Sequence, residues 1–283
     1  MLRIAIQTKG RMHEKTAVLL NEVGIRLPAA KRTLLIQSNT FPAEILFLRD
    51  DDIPQAVANG VADVGIVGEN EFQEKKQEAI VIKQLGFSHC RLSLAIPKEK
   101  EYPGLHWFFK KKIATSYPKI LSAFLKKNAI EADIHFINGS VEISPGIGLS
   151  DAIFDIVSSG STLISNHLKE VEIVMYSEAI LISNKKLDEK KNKILQELIF
   201  RIDAVQTAND KKYILLNAPN DSLQEIFQIL PGMKSPTIFP LAKKGWSSIH
   251  SVISEKQSWE IINKLKNAGA EGILIVPIEK MIL

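Results

Sequence analysis

The feature that most constrains this chain is an alternation of short apolar runs of strand length with helical stretches stopped by glycine. The run RIAIQ (3 to 7) precedes a helical stretch from Glu14 to Val23 that ends at Gly24. LLIQ and EILFLR follow, then a short helix from Ile53 to Asn59 closed by Gly60, then ADVGIVG. Glycine just past a helix end accepts the left-handed backbone found there. Strand and helix signals in alternation argue for a largely parallel sheet with helices on its faces.

A second unit of the same character starts near Cys90, with CRLSLAIP, KIATS, a helix near Lys119 to Lys127, IHFIN and DAIFDIVSSGSTL. VEIVMYSEAILIS (171 to 183) reads as one strand returning the chain to the first lobe, ahead of a helix from Asp188 to Thr207. The final stretch changes rhythm: KYILLNA, DSLQEIFQIL, PTIFPLA, SSIHSVIS, QSWEIINKLKNAG and GILIVPI. That order, β-α-β-β-α-β, is the ferredoxin-like split unit, with Asp221 and Ser222 placed to cap its first helix and Gly269 to close its second. The expected α/β architecture is therefore a two-lobed core, like that of periplasmic binding proteins, plus a ferredoxin-like C-terminal domain. The expected boundaries are 1–89 with 168–208 for the first lobe, 90–167 for the second, and 209–283 for the appended domain. A cleft between two α/β lobes is a preferred place for a small ligand.

Composition removes several classes of function. A net charge of +4, from 36 basic and 32 acidic residues, is too mild for a nucleic-acid track, so no nucleic-acid partner is expected. No apolar run is long enough for a membrane span, and MLRIAIQTKGRM lacks the long apolar region of a secretory signal. The single cysteine, Cys90, makes no internal disulfide, and the six histidines show no metal-ligand spacing. These features together favour the cytoplasm. The basic run Lys110 to Lys112 reads either as a solvated strand entrance or as an anion contact.

Chemistry concentrates in DAIFDIVSSGSTL, Asp151 to Leu163. Its apolar residues make a buried strand, and Ser158, Ser159, Gly160, Ser161 and Thr162 lead into a helix start. Such a turn lets backbone N–H groups and hydroxyls converge on a phosphate, although the same residues also suit an ordinary strand, turn and N-cap. A bare phosphate leaves Asp151 and Asp155 unexplained, because like charges repel. Carboxylates accept hydrogen bonds from vicinal ribose hydroxyls, so acids beside the cradle fit a ribose 5-phosphate. Glu142 is a further candidate for the same pocket, with a surface position as its alternative.

The segment resembles the phosphoribosyl pyrophosphate (PRPP) loop of the ATP phosphoribosyltransferases. QTKGRM, LRDDDIPQAVANGVADVGIVGEN, CRLSLA, IATSYP and NGSVEISP resemble further segments of that family, in the family's order. PTIFPLA and GILIVPIEKM resemble its long form, whose C-terminal domain is regulatory. The resemblance implies that adenine N1 of ATP displaces pyrophosphate from C1 of PRPP, opening histidine biosynthesis. It implies Mg2+, feedback inhibition by histidine, a homo-oligomer passing between dimer and hexamer, and no separate regulatory subunit.

The candidate residues divide by substrate. Asp151, Asp155, Glu142 and Ser158 to Thr162 are assigned to PRPP, with Asp151, Asp155 and Lys9 as the catalytic candidates. Lys9, Gly10 and Arg11 follow the first strand, where α/β sheets place ligand loops; they can meet triphosphate or pyrophosphate, or form a solvated loop. Arg49 is a further nucleotide candidate, beside the acidic run Asp50 to Asp52 that suits a helix start. Asp63, Gly68, Glu69 and Asn70 can border the nucleotide cleft or make a plain strand end. Thr115, Ser116 and Tyr117 can meet phosphate or cap the helix that begins at Pro118. Protein ligands for the metal are unassigned, since magnesium usually rides on the substrate's phosphates. A solute-binding module without catalysis, and another transferase using the same donor, are the competing readings.

Overall fold

The computed structural model describes residues 1–27, 33–230 and 235–283. The first lobe contains β1 (Leu2–Gln7), α1 (Arg11–Glu22), β2 (Leu35–Gln37), β3 (Ala43–Leu48), α2 (Ile53–Ala58), β4 (Val64–Gly68), α3 (Glu69–Lys75) and β5 (Ala79–Gln84). The second contains β6 (Cys90–Pro97), β7 (Lys112–Thr115), α4 (Pro118–Lys127), β8 (Asp133–Phe136), β9 (Ala152–Val157), α5 (Ser161–Ser165) and β10 (Leu168–Ser177). The chain then re-enters the first sheet as β11 (Ala179–Asn184) and continues into α6 (Glu189–Asn209).

Six strands form the first sheet in the order β2-β3-β1-β4-β11-β5, and five form the second in the order β10-β6-β9-β7-β8. The expectation of a largely parallel first sheet needs correction. β1 runs parallel to β3 and β4, but β2, β11 and β5 each pair antiparallel with their neighbours. The run 171–183 is likewise two strands rather than one. Residues 168–177 pair antiparallel with β6 in the second sheet, and only Ala179 onward returns to the first. The second sheet therefore extends past the expected return at residue 168. Both halves of the run are apolar, so periodicity could not show the change of sheet.

The two crossings between sheets lie side by side. Ala179 N–H donates to Phe87 O at 3.0 Å, and the Glu178 carboxylate accepts the Gly86 N–H at 2.7 Å. Each sheet has its own apolar core. Leu92, Leu94, Phe108, Ile113, Leu121 and Phe154 fill the second lobe, while Ala5, Ile53, Val57, Val67 and Ile182 cluster in the first. Burying a side chain such as Phe154 contributes about 2–3 kcal/mol. This fixes the strands whose C-terminal ends carry the loops described below.

The C-terminal unit runs through β12 (Lys211–Pro219), α7 (Leu223–Ile229), β13 (Thr237–Pro240), β14 (Trp246–Ser254), α8 (Ser258–Asn267) and β15 (Glu271–Pro277). Its sheet order, β13-β14-β12-β15, with antiparallel neighbours throughout, is the ferredoxin-like arrangement expected from sequence. Asp221 and Ser222 stand in a 3-10 turn before α7 and make no side-chain cap, whereas Gly269 closes α8 at φ 86°. The compact units are Met1–Leu195 and Gln196–Leu283, so the second half of α6 groups with the C-terminal strands.

Candidate active site

Loops at the C-terminal ends of β1 and β4 in one lobe, and β7, β8 and β9 in the other, carry most of the candidate residues. This follows the general rule that α/β sheets present ligand groups beyond their strand ends. A recess of about 140 Å³ opens at the end of β9, lined by Asp155, Ser158 to Thr162, Glu142 and Arg11. Glu142 comes from the 3-10 turn after β8, and Arg11 comes from the other lobe as the first residue of α1. The expected start of that helix was Glu14; the structure starts it three residues earlier, with Gly10 as its N-cap.

Gly160 holds φ 81° at the N-cap of α5 and lets the loop turn sharply enough to keep Ser158 to Thr162 around one volume. Ser159 and Ser161 share a hydroxyl contact of 3.0 Å. α5 is only five residues long, so its dipole is small and the loop's N–H groups and hydroxyls are the main anion donors. Arg91 braces the loop from β6. Its guanidinium donates to Ser158 O at 3.1 Å and is gripped by both oxygens of Glu170, at 2.5 and 2.6 Å.

Asp155 has the most perturbed carboxylate in the recess. Burial pushes it up to about 6; the Ile156 backbone N–H opposes that shift, and the charge of Glu142 adds to it. Such a group takes up a proton as pH falls through about 6, well above the ordinary range of an aspartate, and gives it up more readily when positive charge or hydroxyl donors arrive.

Asp151 does not join it. It lies at the opposite end of β9, exposed, and its Oδ2 accepts the Lys112 N–H at 2.9 Å. Four residues of extended chain separate the two acids by about 13 Å, which exceeds the reach of one ribose. Asp63 is also remote from the recess, at the start of β4. Its carboxylate accepts the Arg3 N–H at 2.8 Å and the Lys191 ammonium at 2.9 Å, and it is 6% exposed. The Lys110 to Lys112 run marks the solvated entrance of β7, with Lys110 and Lys111 lying over Phe109 and Trp107.

At the other end of β7, Thr115 and Ser116 are committed to the turn itself. Thr115 Oγ1 accepts the Tyr117 N–H at 2.8 Å, and Ser116 Oγ donates to Ile137 O at 2.7 Å. Tyr117 faces the first lobe, where its hydroxyl donates to Glu71 at 2.7 Å and accepts from Asn70 Nδ2 at 3.1 Å. Burial first, then the charge of Glu71, keep that phenol protonated, and burial also raises the Glu71 carboxyl. Asn70 is tied in turn to Ser177, whose hydroxyl donates to Asn70 Oδ1 at 2.9 Å. Gly68 ends β4 against the Asn70 side chain, and Glu69 N–H donates to Glu178 O at 2.9 Å. Lys9 is exposed in the bend before α1, and Arg49 is exposed at the start of the Asp50–Asp52 turn.

The family model for ATP phosphoribosyltransferase matches residues 49–204, and one for the C-terminal domain of the same proteins matches residues 208–280. The chain belongs to the ATP phosphoribosyltransferase family. It is 99% identical over its full length, and the relative's, to an ATP phosphoribosyltransferase of Azobacteroides pseudotrichonymphae. It is 68% identical, again over the full length of both, to one of Bacteroides thetaiotaomicron. A solved ATP phosphoribosyl transferase (HisG:HisZ) complex from Thermotoga maritima is similar at 27% identity and TM-score 0.62, covering 71% of this chain and 96% of that one. The match to the C-terminal domain identifies this member of the family as the long form.

Sequence reasoning missed Arg91, Glu71 and Ser177, and also Glu74 of α3, whose carboxylate accepts the Lys119 and Ile120 N–H groups at the start of α4. A charge inside the strand run CRLSLA was the available signal for Arg91, since a cation there needs a partner. Nothing local marks the others, whose partners stand in the opposite lobe. Among the described residues no group of three or more His, Cys, Asp or Glu is arranged to hold a metal. Asp155 and Glu142 are two hard oxygen donors in one recess, which fits a magnesium ion that keeps most of its coordination on substrate phosphates.

Proposed function

We infer that this chain transfers the phosphoribosyl group of PRPP to N1 of the ATP adenine, yielding phosphoribosyl-ATP and pyrophosphate at the entry to histidine biosynthesis. The observation that carries the site assignment is the recess joining Asp155 and Glu142 to the Ser158–Thr162 loop, with Arg11 reaching in from the other lobe. The N1 lone pair forms the new bond to C1, and the C1–O bond electrons leave with pyrophosphate. No protein nucleophile is needed, so catalysis rests on alignment and on stabilising charge.

In this reading the loop N–H groups and hydroxyls hold the 5-phosphate, and the Asp155 carboxylate accepts hydrogen bonds from ribose hydroxyls. Its negative charge lies near the cation that develops at C1 and the ring oxygen. Arg11, with Lys9, neutralises the departing pyrophosphate, while Asn70, Glu69 and Tyr117 border the adenine side. Mg2+ bound to the pyrophosphate would withdraw charge from the leaving group, with Asp155 and Glu142 as its protein-side donors. Histidine acts through the C-terminal unit, the enzyme is a cytoplasmic homo-oligomer of dimers and hexamers, and this chain needs no separate regulatory subunit.

The deciding experiment supplies the purified chain with ATP, PRPP and MgCl2 and follows pyrophosphate release and the new nucleotide chromophore. Turnover by this chain alone is expected. Turnover that requires an added protein would reject self-sufficiency, and release with other amines but not ATP would assign the donor site to a different transferase. Light scattering with and without histidine checks the assembly.

A further inference from the structure

α4 begins without a cap of its own. Its N-cap residue, Tyr117, has no short side-chain oxygen, and no side chain of the helix's own first turn bonds there. Pro118 at the first helical position has no N–H, so the exposed donors of that end are the N–H groups of Lys119 and Ile120. Both are taken by Glu74, which belongs to α3 in the opposite lobe. The Glu74 carboxylate accepts the Lys119 N–H at 3.0 and 3.1 Å, one for each oxygen, and the Ile120 N–H at 3.0 Å. Glu74 is 6% exposed.

This contact differs in kind from a surface ion pair. Removing the Glu74 side chain while the lobes stay packed would leave the Lys119 and Ile120 N–H groups without their acceptor at a buried seam, whereas the partners of a surface ion pair simply turn to water. The carboxylate also sits at the positive end of a ten-residue helix, where charge is favoured. Beside it, the Asn70–Tyr117–Glu71 hydrogen bonds cross the same seam.

We propose that Glu74 is a positioning residue for phosphoribosyl transfer: by capping α4 from the other lobe, it sets the distance between the PRPP recess and the loops that hold ATP. The proposal rests on the reaction inferred above. The recess is built almost wholly from the second lobe, so donor binding survives loss of the cap. The nucleophile is held across the seam, and misplacement by about 1 Å can cost a hundredfold in rate.

The test uses full-length Glu74→Ala and Glu74→Gln, with pyrophosphate release followed at saturating ATP. Loss of the wild-type reaction would reject the functional reading, independently of the variants. With wild type active, Glu74→Ala is expected to lower kcat at least tenfold with the KM for PRPP within threefold of wild type. Glu74→Gln keeps one acceptor oxygen and should recover part of the lost kcat. A kcat for folded Glu74→Ala within threefold of wild type would overturn the proposal, even if melting fell. Should Glu74→Ala fail to fold, the isosteric Glu74→Gln decides: an unchanged kcat overturns the positioning role, and a kcat loss at unchanged KM for PRPP supports it.

Discussion

Glu142, from the 3-10 turn after β8, and Asp155, from β9 itself, face one recess, and the charge of Glu142 adds to the burial that pushes the Asp155 carboxyl up to about 6. Like charges held together bind metal and polyhydroxyl ligands well but oppose ionisation while the site is empty.

The first expectation concerns pH and activity. If the ionised Asp155 accepts the ribose hydroxyls, kcat/KM for PRPP falls as pH drops through about 6. Glu142→Gln removes a like charge and should move that limb to lower pH. A limb that stays in place would separate the two carboxylates electrostatically, and kcat/KM measured from pH 5 to 8 reads it directly.

The same shift has a consequence for stability. Asp155 is raised from 3.8 in the unfolded chain to about 6 in the fold, so the folded state binds the proton more tightly. The carboxyl therefore opposes folding above about pH 6, and this penalty disappears as pH falls below 4. One pKa unit corresponds to about 1.4 kcal/mol, which makes the full penalty about 2–3 kcal/mol. Asp155→Asn should stabilise the ligand-free protein at pH 8 and give no gain at pH 4, as read by urea denaturation. An equal gain at both values would point to packing instead of charge.

Gly160 supplies the turn of the phosphate loop. A Cβ there meets nothing nearer than Val157 Cγ1 at 4.0 Å, so backbone strain at φ 81° is the whole cost of substitution. Gly160→Ala should lose about 1–2 kcal/mol of local stability, spent in relaxing the loop. The KM for PRPP should rise several-fold while the KM for ATP holds, and initial-rate kinetics in both substrates separate the two.

The Asp63–Lys191 pair gives a sharp contrast between what sequence suggested and what the fold uses. In ADVGIVGEN, Asp63 is five residues from Gly68, but an extended strand carries them to opposite ends of the sheet. Lys191→Ala should destabilise by about 1–2 kcal/mol, since Lys191 is partly exposed and Asp63 keeps its Arg3 N–H. The KM for ATP should stay within twofold. A large rise in that constant would restore Asp63 to the nucleotide cleft.

Elements that carry their own local signals were legible. The strands RIAIQ and ADVGIVG, the C-terminal β-α-β-β-α-β order and the serine-rich loop after β9 all emerge as expected, because strand patterning and turn chemistry are properties of contiguous residues. What escaped depends on residues distant in sequence. Asp151 and Asp155 share strand parity, yet only the pairing of β9 with β7 reveals that Asp151 serves the far end. Glu71 and Glu74 look like ordinary charges on a short helix until Tyr117 and the start of α4 are brought against them. The change of sheet between Ser177 and Ala179 is hidden for the same reason, since both sheets accept an apolar strand.

Feedback by histidine provides the last expectation, and linkage fixes its form. If histidine binds the C-terminal unit, its effect on PRPP affinity must equal the effect of PRPP on histidine affinity. Such a coupling saturates: as PRPP is raised, the apparent dissociation constant of histidine climbs and then levels. Histidine competing within the Asp155 recess gives a climb in proportion to PRPP with no plateau. Calorimetric titration of histidine into the full chain at stepped PRPP concentrations distinguishes the two, and the plateau is expected. A truncation after Asn209 is the less clean test, because Gln196–Leu283 is one compact unit in which Met281 N–H bonds Ala204 O at 2.9 Å. Removing the strands strips α6 of that partner, so loss of inhibition there would mix regulation with damage to the helix.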